Sequence, residues 1–548
     1  MRKHVGRLNF LPLLGFSSVI CLFVGVCCTQ LIAADAFLAD PISSGESLPQ
    51  NSQPELSTWL NERFRQIWTS QQLQPVLCDD ATYLRRVSLD LIGRIPSVGE
   101  IREFEADPSP EKRARLVEKL LSDPQDSAKV SPLASEHLAR AWRRVLLPPD
   151  STGAAAGPQF EPWLRSHFAK NTPYDQIVKG LVTARGEGSR DEQVFYAAIG
   201  ATPEAEATEF SRIFLGVRIG CAQCHDHPFA PWKKQDFWGM AAFFNGLKFG
   251  DNMVVDNRVT RVGNLNDDDA TGSIVHEGKT YAAKVLWADQ PIALSKDRRP
   301  RDLLAEWMTS KEHPTFAANA ANRVWQALMG RGLVEAVDDL DLASADDRAL
   351  AEDLGRQFAA ADFNLRWLIS GICRSEAYQC DSRASDGDVV GVESGRRSLK
   401  ALSPEQMFAS LEQSLLLPVS TSNQDAARHN GEMGQLVQRL DESIGRSPEE
   451  YTAGIPQTLL LMNGNMLARA TDLERSHTLR GVVEAPFLSD DERIELLYLA
   501  TLSRTPERQE QARLVAYVER HTEEQKRKAA FGDILWALVN SPEFALCR

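Results

Sequence analysis

Positive charge is in short supply in this sequence. Lysine and arginine number 61 against 75 aspartates and glutamates, which gives a formal net charge of −14 over 548 residues. Recognition of a phosphate backbone needs a basic face, so this balance argues against a nucleic-acid partner. Cysteine is scarce too. There are nine, and Cys21, Cys27 and Cys28 fall within the first 36 residues. The others are Cys78, Cys221, Cys224, Cys373, Cys380 and Cys547, too few to make a disulfide-dense scaffold. Cys373 and Cys380 are near enough in sequence to pair, but connectivity is not readable from sequence. Common catalytic signatures are missing: there is no Gly-x-Ser-x-Gly, no His-Glu-x-x-His and no Gly-x-Gly-x-x-Gly. The loop Arg185–Ser189 lacks the Lys-Ser/Thr of a phosphate-binding loop. Asn264–Asp269 has the charge of a calcium loop but neither its central glycine nor its closing glutamate, and is expected to be a solvated acidic loop.

A nearly uncharged apolar run extends from Leu8 to about Cys28, after Arg2, Lys3 and Arg7, and Ala34-Asp35-Ala36 follows as a small-residue cleavage site. That order predicts an export signal at 1–36, with an uncleaved membrane anchor as the alternative and the only expected membrane contact. Val26 before Cys27 makes a poor lipoprotein site. The expected location is therefore periplasmic or extracellular. A Pro-, Ser-, Gly- and Gln-rich linker is expected at 37–56.

From there the chain reads as mainly α. Trp59, Leu60, Phe64 and Ile67 mark one helical face. Leu84–Ile92 reads as a helix stopped by Gly93, with Ser97 and Glu100 as a capping box for the next. Between about Asn252 and Leu294 β-branched residues take over, and Glu277-Gly278 reads as a hairpin turn. The expected organisation is a helical domain at 57–250, a small β insertion at 251–296 and a second helical domain at 297–548. Leu89–Pro96 is echoed by Leu499–Pro506. Both read as helix, Arg-x-Pro corner, helix, with the arginine on the last carbonyls of the first helix and the proline starting the second. Asp338 and Asp339 are adjacent, so they are expected in an ion-pair network with Arg323 and Arg331 rather than as a proton-sharing pair.

One stretch carries chemistry: Cys221-Ala222-Gln223-Cys224-His225-Asp226-His227-Pro228-Phe229. Cys-x-x-Cys-His is the attachment signature of c-type haem, with both thiols adding to the vinyl groups and the histidine ligating iron. On that reading Cys221, Cys224 and His225 hold the haem, and a sixth ligand would come from Met240, Met253, His137, His167 or His276. A second reading is a zinc or iron site from Cys221, Cys224 and either His225 or His227, with Asp226 as a partner beside it. A third is a Cys221–Cys224 disulfide, with the histidines and Pro228 capping the following helix. The aromatic stretch Phe229, Trp232, Phe237, Trp238, Phe243 and Phe244 reads as core, part of which would also wall a pocket.

Several segments together resemble a known group of proteins. They are Leu-Arg-Arg…Leu-Asp-Leu-x-Gly-Arg-x-Pro at Leu84–Pro96, and Phe-Leu-Gly-Val…Cys-Ala-Gln-Cys-His-x-His-Pro-Phe…Ala-Ala-Phe-Phe at Phe214–Phe244. Asn-Arg-Val-Trp…Gly-Arg-Gly-Leu-Val-Glu…Asp-Asp follows within Asn319–Asp339. Ser375–Gln379, Leu459–Gly464 and Trp536–Phe544 complete the set. The chain thus resembles exported planctomycete cytochrome-like proteins that pair two domains of unknown function. The resemblance implies a redox or electron-transfer role with haem c and a redox partner. The alternative is a zinc- or disulfide-stabilised scaffold working with extracellular polymer-degrading enzymes.

Overall fold

The computed structural model describes residues 55–548, apart from 149–150, 187–189, 250–252, 256–257, 262–264, 296, 384–391, 417–472 and 474–475. The expected export signal, nearly all of the linker, the Leu459–Gly464 segment and the side chain of Met253 lie outside the described residues.

The fold is mainly α, and the sheets among the described residues are all two-stranded and antiparallel. The Asp80–Ile92 helix is its organising element. Asp79 caps it by accepting from the Thr82 amide at 2.7 Å, and Gly93, at φ 72°, closes it in the left-handed region. Every residue from Tyr83 to Ile92 is buried. The reason is its position between two hydrophobic cores. Leu84, Val87 and Leu91 belong to a core running from Leu56 to Cys380, while Leu89 joins a second built mainly from Leu402 to Cys547. The first core draws on helices from both expected helical segments: Phe64 stacks on Trp325 at 5.4 Å, and Tyr174 on Phe316 at 5.4 Å.

A helix buried on all sides must satisfy its polar side chains internally. Arg85 donates to the carbonyls of Thr501 and Phe544, both at 2.9 Å, and Arg86 to those of Tyr378 and Arg548. Asp90 accepts from Tyr378 Oη at 2.7 Å, from Arg397 Nη2 at 2.9 Å and from Lys400 Nζ. Burial by itself would raise the Asp90 carboxyl, but Lys400 and Arg397 outweigh it and hold it below the ordinary aspartate value. The charged residues of this stretch are therefore structural.

The helix–corner–helix echo is real, but the arginine works differently from the expectation. Arg94 donates to the carbonyl of Ile95 at 2.8 Å and forks onto Glu100 at 3.0 Å; Arg504 repeats this with Thr505 at 3.1 Å and Glu510 at 2.8 and 3.0 Å. The guanidinium thus braces the first turn of the following helix, not the last carbonyls of the preceding one. Nor does the proline open the second helix, because Ser97 and Glu507 stand as N-caps after it.

The β segment contains the expected hairpin, Ser273–His276 against Lys279–Ala282. Glu277 and Gly278 both take positive φ, at 50° and 75°, as a two-residue hairpin turn requires. The acidic loop departs from expectation. Asp267 is not solvated: its side chain is 0% exposed and pairs with Arg301 Nη2 at 2.8 Å and with Arg299. Arg301 is equally buried and also donates to the carbonyls of Val182 and Ala184 at 2.8 and 3.0 Å. Asp267 alone is turned inward, pinning the β segment to the helical core, while Asp268 and Asp269 face solvent as expected.

Candidate functional site

The approach to the Cys-x-x-Cys-His run is set by a π-helical turn, Ser211–Leu215, which ends at Gly216 with φ 63°. A π turn leaves carbonyls without helical partners, and the Phe316–Met329 helix supplies them. Asn319 Nδ2 donates to the Ile213 carbonyl at 2.7 Å and Arg323 Nη2 to that of Arg212 at 3.3 Å. Arg323 and Arg212 also converge on Asp338, so the expected network holds for Arg323 and Asp338 but not for Arg331, which pairs with Glu335 at 3.2 Å. Gly216 is required twice over. Its φ is left-handed, and a Cβ there would lie 2.7 Å from Asn319 Oδ1.

Beyond Gly216 the chain forms a 3-10 turn, Gly220–Gln223. With three residues per turn, positions i and i+3 eclipse one another. Cys221 and Cys224 therefore share one face, and that face is outward: both thiols are free and exposed. Ile219 and Ala222 point the other way and are fully buried, anchoring the turn. Trp238, in the Lys234–Ala241 helix, donates from Nε1 to the Gln223 carbonyl at 3.0 Å and fixes the turn from below.

The two histidines have opposite roles. Nδ1 of His225 lies 2.8 Å from the carbonyl oxygen of Asp226, and a carbonyl only accepts. In the neutral ring Nδ1 therefore carries the proton, and the lone pair is on Nε2 of an exposed ring. His227 is reversed. Its Nδ1 accepts from the amides of Phe229 and Ala230 at 3.2 and 2.9 Å, so in the neutral ring the proton is on Nε2. Its own amide donates to the Trp232 carbonyl at 2.7 Å. His227 is a turn-shaping residue, and His225 is the one with a free ligating nitrogen.

Of the aromatic stretch, Phe237, Trp238, Phe243 and Phe244 are core, whereas Phe229 is 93% exposed at the tip of the loop. Trp232 bonds Asp341 Oδ2 at 2.8 Å and packs edge-on against Trp287 at 5.2 Å. Among the described residues no group of three or more His, Cys, Asp or Glu side chains converges on a point that would hold a metal ion. Cys373 and Cys380 are both free and buried. Burial pushes both thiols up, and they face different surroundings: the Asp90 and Arg397 charges act on Cys373, and the Arg86 charge on Cys380. Sequence reasoning named Trp232 and Trp238 only as core or pocket-wall rings, and missed Asn319 and Asp341 as supports. Polar Asn319, Asn322 and Arg323 within the otherwise apolar Phe316–Met329 helix were the available signal, since polar groups at i, i+3 and i+4 of a buried helix demand partners.

Two comparisons with protein families bear on this chain. Residues 60–249 match a family described as "Protein of unknown function (DUF1549)", and residues 300–427 match one described as "Protein of unknown function (DUF1553)". The match is consistent with a pairing of two domains of unknown function. No curated protein and no solved structure matches the chain.

Proposed function

We propose that this chain is an exported c-type haem-bearing redox protein, with Cys221 and Cys224 as the thioether positions and His225 as the proximal ligand. The observation that carries this reading is the contrast between the two histidines. A metal-ligating histidine characteristically donates its other ring N–H to a carbonyl or carboxylate, which fixes the ring and raises the basicity of the ligating nitrogen. His225 meets that condition through the Asp226 carbonyl at 2.8 Å. The rest of the donor set fits the same group: two free thiols share the outer face of one short turn, open to a bulky partner. When bound, the haem would supply one-electron chemistry at its iron.

The chain's own residues hold the turn in shape for that role. Ile219 and Ala222 anchor it, Trp238 ties down the Gln223 carbonyl, and His227 sets the loop beyond it. Zinc on Cys221, Cys224 and His227 is less favoured, because a lone pair at His227 Nε2 would cost both amide bonds to its Nδ1. The positively charged start, apolar run and small-residue site of residues 1–36 support export, and attachment of this kind takes place outside the cytoplasm.

The test is a variant series made in a host that attaches c-type haem. Cys221→Ser and Cys224→Ser together are expected to abolish haem stain on a denaturing gel. His225→Ala should alter the iron spectrum, whereas His227→Ala should leave it unchanged and cost about 1–2 kcal/mol of stability for two partly exposed hydrogen bonds. Equal loss of haem in His227→Ala and His225→Ala would contradict the assignment.

A further inference from the structure

The hairpin that follows the motif in sequence is tied back to it in space at two places. Trp238, which holds the Gln223 carbonyl, stacks its indole on the imidazole of His276 at 3.8 Å and 18°. Asp226, within the motif, accepts from the Lys234 amide at 2.9 Å, and Lys234 Nζ in turn pairs with Glu277 at 2.6 Å. Glu277 is the residue after His276, so both links end on the same turn of the hairpin. The His276 side chain is 30% exposed, with Nε2 3.5 Å from a Glu277 oxygen.

The other described candidates for a sixth ligand are committed elsewhere. Met240 is fully buried in the core face of the Lys234–Ala241 helix. His137 packs against Gly93, 2.5 Å from where a Cβ would stand, and burial lowers its pKa to about 4. His167 packs edge-on against Trp163 at 4.6 Å and lies 3.3 Å from Thr172 Oγ1. His313 spends Nδ1 on the amides of Thr315 and Phe316, as His227 does on its own turn.

We infer that His276, presented by the Ser273–Ala282 hairpin, would supply a further ligating nitrogen to the group that Cys221, Cys224 and His225 would hold. The inference rests on the haem reading above. It assigns the hairpin a purpose, which is to present an imidazole beside the motif, and it makes the site a bis-histidine electron carrier rather than an open peroxide- or ligand-binding centre.

The experiment uses the full chain loaded with haem, read by absorption and electron paramagnetic resonance in the ferric state. Wild type is expected to be low-spin. His276→Phe retains an aromatic ring for the Trp238 stack but no ligating nitrogen, and should become high-spin, with added imidazole restoring the low-spin spectrum. His276→Met should remain six-coordinate with a raised potential. A wild-type protein that is high-spin, or a low-spin spectrum unchanged in His276→Phe, overturns the assignment of His276 while leaving the haem reading intact. Wild type without covalent haem overturns the haem reading, and this inference with it. Circular dichroism of each variant separates loss of a ligand from loss of the fold.

Discussion

Replacing Asp90 by asparagine removes the carboxylate that faces the buried Arg397 and the partly buried Lys400. The Arg397 side chain is fully buried, and that of Lys400 is 19% exposed. Both keep a second acceptor, the Leu328 carbonyl for Arg397 and the Ala327 carbonyl at 2.6 Å for Lys400. Hydrogen bonds to charged groups contribute about 1.5–3 kcal/mol each. Breaking one side of a buried pair costs about 3–5 kcal/mol. Partial exposure of Lys400 puts its share at the low end, so the expected loss for Asp90→Asn is about 3–5 kcal/mol. The assay is urea denaturation at pH 7, followed by tryptophan fluorescence and far-UV circular dichroism. The pH dependence gives a second check. Asp90 is held below its unfolded value by Lys400 and Arg397, so its contribution is fully present above an unfolded pKa of about 3.9 and fades as pH falls through the lower folded value. Asparagine does not titrate, so the gap between wild type and variant should close only in acid. Asp268→Asn, which removes a 63%-exposed partner of Arg299, is the control and should move stability by less than about 1 kcal/mol. A loss at Asp90 no larger than that control would refute the reasoning.

Three further outcomes follow from buried groups and one turn. Asp267→Ala leaves Arg301 buried without its carboxylate and should cost about 3–5 kcal/mol in the same denaturation assay, against the near-neutral change expected of a solvated loop. Glu206 is fully buried with neither carboxylate oxygen hydrogen-bonded to protein, and burial, only partly offset by Arg301, raises its pKa well above the usual glutamate range. The unfolded chain then loses its proton at a lower pH than the native one, so wild-type stability falls as pH rises above the unfolded value. Glu206→Gln should therefore match or exceed wild type at pH 7, and lose that advantage near pH 4, in thermal unfolding. Gly216→Ala forces a left-handed Cβ to within 2.7 Å of Asn319 Oδ1 and should lose about 2 kcal/mol or more, with protease sensitivity rising first around Arg218–Lys233.

Local signals in the sequence carried the helical architecture well. The Gly93 stop, the Ser97–Glu100 capping box and the Glu277-Gly278 turn were all legible because each depends on residues within a few positions of one another. What escaped was long-range pairing. Nothing near Asp267 in sequence announces Arg301, and a run of acidic residues ordinarily faces water; Asp268 and Asp269 do, but the buried guanidinium 34 positions later draws Asp267 inward. The Arg-x-Pro corner was recognised as a repeated device, but its acceptor is a glutamate six residues on, a geometry visible only once the next helix is placed. At the candidate site the Cys-x-x-Cys-His spacing identified the residues. The roles of His225 and His227 depend instead on which backbone groups face each Nδ1, and those positions are set by the turn rather than by the motif.

The most direct measurement of the central claim is the absorption spectrum, with iron and zinc content per chain, of wild-type protein secreted from a host able to attach c-type haem. The account predicts a Soret band that survives denaturation, one iron per chain and no zinc. A colourless protein, whether it carries stoichiometric zinc or no metal, would contradict it and leave Cys221 and Cys224 as structural ligands or a disulfide.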